Sequence, residues 1–61
     1  MNIHHIHYAI EIAHYGSFNK AAANLFISQP SLSRAIKELE NDLGFELFIR
    51  TPNGVLPTHQ G

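Results

Sequence analysis

A mainly α fold, three helices closed by a small C-terminal β-hairpin, is what this 61-residue sequence predicts. Three observations carry that reading. Apolar residues recur at helical spacing in three successive blocks, each opened by a capping residue. The second block is short and is separated from the longer third by a turn of about three residues. After Gly44 the helical period gives way to short apolar runs around Thr51-Pro52-Asn53-Gly54, where proline and the Asn-Gly pair signal a hairpin.

Residues 2–15 read as the first helix, with Asn2 as N-cap. Ile3, Ile6, Ile10 and Ala13 make an apolar stripe at i, i+3, i+7 and i+10, and Tyr8, Ile12 and Tyr15 add an amphipathic flank. Gly16 stops the helix in the usual position past its end. Ser17 then caps a short helix over Phe18–Leu25, whose stripe is Phe18, Ala21, Ala22 and Leu25. The two alanines let another helix approach closely, while Asn19 and Lys20 lie off the stripe. Phe26 and Ile27 form the tight connection to Ser28.

The third helix, from about Gln29 to Leu43, has two unlike sides. Leu32, Ile36, Leu39 and Leu43 recur at i, i+4, i+7 and i+11, a stripe for burial. Gln29, Ser33 and Lys37 follow one another at i+4, with Pro30 and Arg34 beside them. Ser28 is a good N-cap, Pro30 is tolerated in the first turn, and Gly44 suits the left-handed position after the last turn. Leu47–Arg50 and Val55–Leu56 are the hairpin strands, separated by four residues, and Pro57 ends the second or confines it to an edge. Thr58 would serve as an N-cap for a further helix. Three helices, a helix-turn-helix within them, and a hairpin make a winged helix-turn-helix.

A firmly capped helix with a polar, partly basic leading face is what reading the major groove of DNA requires. Side chains there reach base edges, and the positive helix end favours phosphates. The net charge of −1 does not by itself suggest nucleic acid; its distribution, which gathers the cations around the N-terminal part of the long helix and what precedes it, is more informative. Lys20, Arg34 and Lys37 against Glu11 give residues 1–37 a charge of +2, whereas Arg50 against Glu38, Glu40, Asp42 and Glu46 gives residues 38–61 a charge of −3. So few cations predict weak binding by a lone domain. From spacing alone Gln29, Ser33 and Arg34 are either direct contacts or an ordinary solvated helix face, and as a contact Arg34 meets guanine or a phosphate. Lys37, a turn further on, is a backbone contact or a free surface charge. Ser17 is a cap that can also donate to a phosphate, and Arg50 meets a phosphate or pairs with one of the acidic residues after Lys37.

Other function classes find less in the sequence. The absence of cysteine fits a reducing cytoplasmic setting, and no apolar run approaches the roughly 18 residues of a membrane span. His4 and His7 at i, i+3, with His14 beyond, lack the convergent ligands of a zinc site and read as a solvated face. No nucleophile elbow, Gly-rich phosphate loop or paired-carboxylate cleft suggests an enzyme, and no cofactor is expected. A winged helix can instead serve as a protein-interaction module without DNA binding. An apolar exposed face on the long helix would mark that use, and Gln29, Ser33, Arg34 and Lys37 make it polar.

The run Gly16-Ser17-Phe18, Ala21-Ala22, Leu25, Ser28 to Arg34, Ile36, Leu39-Glu40, Leu43-Gly44, Leu47-Phe48, Arg50-Thr51, Gly54-Val55, Thr58 and Gly61 resembles the N-terminal domain of LysR-type transcriptional regulators, with no gap in spacing. The resemblance implies a bacterial, cytoplasmic winged helix that binds double-stranded DNA through the second helix of its motif. Carried over by position, it points to Gln29, Pro30, Ser33 and Arg34, with Ser31 close by, and to Asn19 and Lys20 for phosphates. It also implies that residues 1–61 are one domain of a longer protein. A linker helix that dimerises and an effector-binding domain for a small molecule would follow. Two positions depart from the family pattern. The wing tip has Asn53, able to hydrogen-bond in the minor groove, where many relatives have a basic residue, and Pro57 stands where leucine is usual.

Overall fold

The computed structural model describes residues 2–52 and 54–58. It orders them as α1 (Ile3–Tyr15), α2 (Phe18–Leu25), α3 (Gln29–Leu43), β1 (Phe48–Thr51) and β2 (Gly54–Pro57). Each helix begins where a short polar side chain satisfies open N–H groups. Asn2 Oδ1 accepts from the His4 N–H at 2.8 Å, Ser17 Oγ from the Lys20 N–H at 3.2 Å, and Ser28 Oγ from the Ser31 N–H at 3.2 Å. Gly16 and Gly44 terminate α1 and α3 in the left-handed region, at φ 66° and 84°. At the end of α2 a phenylalanine does this work. Phe26 sits at φ 60°, its N–H donates to the Ala23 carbonyl at 3.3 Å, and the Ile27 N–H reaches the Ala22 carbonyl at 3.1 Å. That is the Schellman pairing without its usual glycine. The Phe26 ring is 94% exposed, so backbone bonds and the inward-packed Ile27 hold the turn.

Ile12, Phe18, Ala21, Ala22, Leu32, Ile36 and Phe48 form one buried cluster drawn from all three helices and β1. Tyr8, Ala9, Leu25, Ile27, Leu47 and Val55 pack against it. Burying each large member contributes about 1.5–3 kcal/mol. Among the described residues every buried side chain is apolar. The α3 stripe faces inward as expected, with Leu32, Ile36 and Leu39 buried, Leu43 half-buried and Ala35 added to it. No helix among the described residues is long and apolar enough to cross a membrane.

The apolar stripe expected on α1 is not its core face. Ile3, Ile6 and Ile10 are 76%, 40% and 61% exposed, whereas Ile12, on the flank, is completely buried with Tyr8 and Ala9 packed beside it. Both sides of α1 are apolar, so spacing alone does not choose between them. Ile12 meets the cluster that holds the small Ala21 and Ala22, and this puts the bulkier isoleucine face outside. Polar contacts fix the same orientation. Asn24 Nδ2 of α2 donates to Glu11 Oε2 at 3.2 Å, and His5 Nε2 lies 4.0 Å from Glu38 Oε2 of α3.

The hairpin is tighter than expected. Its antiparallel register runs from Phe48↔Pro57 to Thr51↔Gly54, so residues 52 and 53 alone join the strands. Thr51 and Gly54, assigned to the turn by composition, form the last pair, and Thr51 Oγ1 donates to the Gly54 carbonyl at 3.0 Å. Leu47 lies outside the ladder because its N–H donates to Glu40 Oε2 of α3 at 2.7 Å. Thr58 closes the open end, donating its hydroxyl to the Glu46 carbonyl at 2.6 Å and its N–H to the Leu47 carbonyl at 2.8 Å. On the other side the Val55 N–H donates to the Gly16 carbonyl at 3.1 Å, which pins the hairpin to the end of α1.

Candidate nucleic-acid interface

The side of α3 opposite its buried stripe carries the polar residues singled out from the sequence. Pro30, Ser31, Arg34 and Lys37 are exposed, and Gln29 and Ser33 are half-buried. None is turned into the core. Ser31 belongs to the cap: the Ser28 hydroxyl donates to Ser31 Oγ at 2.8 Å while accepting the Ser31 N–H. Gln29 Nε2 donates to Ser33 Oγ at 2.7 Å, one helical turn along.

The start of α2 lies beside this face. Ser17 caps it, and Asn19 and Lys20 are exposed. The hairpin supplies Arg50, whose Nη2 donates to Ser33 Oγ at 2.7 Å. Its guanidinium carbon stands 4.0 Å from the centroid of the Phe18 ring. Instead of one of the acidic residues after Lys37, Arg50 bonds a serine hydroxyl. It spans β1 and α3 across an aromatic face from α2, a cation–π contact.

Arg50 also sits between two clefts. One is lined by Ser17, Asn19, Gln29 and Arg50, so the start of α2, the first turn of α3 and the hairpin meet there. The other is lined by Ser33, Arg34, Lys37 and Arg50, together with Glu40 and Glu46. Three cations against two carboxylates give this second cleft a small cationic excess. Lys20, Pro30 and Ser31 lie outside both linings, and Asn53 lies outside the described residues. Sequence reasoning missed Phe18 as a seat for Arg50. Its helical stripe marked it only as core, and no local signal pairs residues that far apart.

Of the histidines, His7 Nε2 is 3.8 Å from Glu11 Oε1 and His14 lies edge-on to Tyr15. Among the described residues no three of His, Cys, Asp or Glu gather as a metal site.

This architecture recurs in known proteins. The sequence pattern described as bacterial regulatory helix-turn-helix protein, lysR family, matches residues 3–61. The HTH-type transcriptional regulator YcgK of Bacillus subtilis (strain 168) is 51% identical over 61 residues, all of this chain and 19% of that protein. The fold superimposes on the BenM DBD in its complex with catB site 1 DNA with a TM-score of 0.94 at 41% identity, covering 100% of this chain and 68% of that one. The CbnR DBD in its DNA complex gives a TM-score of 0.94 at 36% identity, with 100% and 70% covered. The chain spans about a fifth of the length of the curated relatives it matches. With a match over nearly every residue and the three-helix, one-hairpin fold in common, the chain belongs to the LysR family of bacterial regulatory helix-turn-helix proteins.

Proposed function

We propose that residues 1–61 are the DNA-binding domain of a LysR-type transcriptional regulator and that α3 reads double-stranded DNA from the major groove. The observation that carries this reading is the polar leading half of α3, displayed outward over a fully apolar core. A helix about 10–12 Å across fits a groove about 12 Å wide. Gln29, Ser33 and Arg34 then meet base edges, with Pro30 and Ser31 alongside. Ser17, Asn19 and Lys20 at the start of α2, with Lys37 and Arg50, face phosphates, where helix N–H groups already favour an anion. Asn53 completes the set at the wing tip. The BenM and CbnR domains named above, each in complex with DNA, support the assignment.

The chain acts by binding and performs no covalent chemistry, and it works in the cytoplasm. In the parent protein, pairing of two copies is assigned to a linker helix beyond residue 61, and small-molecule response to a further domain. Relatives some five times longer support this.

Fluorescence anisotropy with a palindromic duplex enriched from a randomised library tests the reading over a salt series. With 4 lysines and arginines in the chain, log K should fall with log salt at a slope no steeper than about −0.9 per cation engaged. Arg34→Ala should lose about 1–3 kcal/mol of discrimination if it pairs with a base, or reduce the slope by about 1 if it holds a phosphate. Equal binding to enriched and random duplexes refutes sequence-specific recognition. Arg34→Ala binding as well as the parent removes that residue from the interface.

A further inference from the structure

Two of the residues assigned to base contacts are tied to a third from another element. Ser33 Oγ accepts from Gln29 Nε2 and from Arg50 Nη2, both at 2.7 Å. A hydroxyl has two lone pairs and one hydrogen, and a guanidinium only donates. Both acceptor sites of Ser33 are therefore filled from within the protein, and its hydrogen is left as the group to offer outward. Gln29, with one amide hydrogen committed to Ser33, keeps its carbonyl oxygen and its other hydrogen.

Arg50 is itself held in place. It reaches from β1 across the Phe18 ring, at 4.0 Å from the centroid, and Phe48 meets that ring edge-on at 6.1 Å. Phe18 and Phe48 are 8% and 9% exposed. The guanidinium thus rests on a rigid aromatic floor, and its planar fork has a fixed direction toward α3. A charge serving only as a phosphate clamp needs neither the floor nor the bond to Ser33.

We propose that Arg50 is a positioning residue for sequence discrimination: it acts through Ser33, setting the polarity and direction in which the Ser33–Gln29 pair meets a base. This rests on the DNA-reading assignment above and deepens it. Ser33 as donor matches guanine N7 and O6, adenine N7 or thymine O4, and disfavours the cytosine amino group. The carbonyl and free hydrogen of Gln29 match the adenine N6 and N7 edge. The wing strand thereby takes part in base choice without touching a base.

The test measures affinities of the 61-residue chain for the enriched duplex and for a random-sequence duplex pool, and takes their ratio. Any change in the folded fraction cancels in that ratio. Arg50→Lys keeps the charge and loses the fork, and the ratio should fall roughly five- to tenfold. Ser33→Ala should lower the ratio similarly. In the Ser33→Ala background Arg50→Lys should cost nothing further, because both act on one group. Without DNA, the Gln29 side-chain amide resonances should shift in both single variants. An Arg50→Lys ratio equal to the parent's, or a full additional loss in the double variant, overturns the proposal and leaves Arg50 as a phosphate contact. A parent chain that does not distinguish the two DNAs overturns the DNA-reading assignment and this proposal with it. Unmoved Gln29 resonances overturn the positioning network alone.

Discussion

Replacing Gly54 with alanine tests how the wing is held against the helices. A Cβ at this position would stand 2.5 Å from the Gly16 carbonyl oxygen, closer than real Cβ atoms approach anything, and that neighbour is backbone and cannot rotate away. The φ of 135° is also one that side-chain-bearing residues rarely adopt. Relief requires β2 to lift, and the 3.1 Å bond from the Val55 N–H to the Gly16 carbonyl goes with it. The backbone contributes about 1–3 kcal/mol and the hydrogen bond about 0.5–1.5 kcal/mol, less about 0.4–1 kcal/mol for a stiffer unfolded chain. The net loss is about 0.5–4 kcal/mol, centred on about 2 kcal/mol, from a domain whose total is about 3–9 kcal/mol at this length. Gly44→Ala is the control. Gly44 has a positive φ of 84°, but a Cβ there meets nothing within 4 Å, so it should lose only the left-handed penalty of about 1–2 kcal/mol. Urea titrations followed by circular dichroism give both values, with the m-value checking that the unfolding unit is unchanged. Equal losses at the two glycines, or a Gly54→Ala loss under about 0.5 kcal/mol, would show that the close approach does not hold the hairpin.

Two further substitutions probe the helices. Leu32 is completely buried in the cluster, so Leu32→Ala should cost about 2–5 kcal/mol, a large share of the domain's stability, and lower the midpoint of a thermal melt accordingly. Phe26 is 94% exposed at φ 60°, so Phe26→Gly should stabilise the chain by up to about 1 kcal/mol, the left-handed penalty removed less the added freedom of the unfolded chain, while Phe26→Ala should not. A Phe26→Gly variant less stable than the parent would mean that the ring packs in solution.

The local signals were legible because local chemistry determines them. Asn2, Ser17 and Ser28 are caps because the hydroxyl or amide oxygen of each falls within reach of an N–H two or three residues on. The helix limits follow from those caps and from Gly16 and Gly44, and the α3 stripe faced inward because its other side is too polar to bury. The surface of α3 was legible for the same reason. Where two faces were alike in polarity, as on α1, the chain carried no local instruction. The choice of Ile12 over Ile6 and Ile10 came from which face fits against Ala21 and Ala22.

What this sequence determined by itself is therefore the order and ends of the helices, the polar face of α3, and the kinship those residues carry. Tertiary structure decided the rest: the outward isoleucines of α1, the two-residue turn of the hairpin, and the bridge from Arg50 over Phe18 to Ser33. Caps and periodicities are written within a few residues and can be read in place. Contacts such as Gly54 on Gly16 or Arg50 on Phe18 join residues more than thirty positions apart, and their geometry exists only once the helices have closed on a common core.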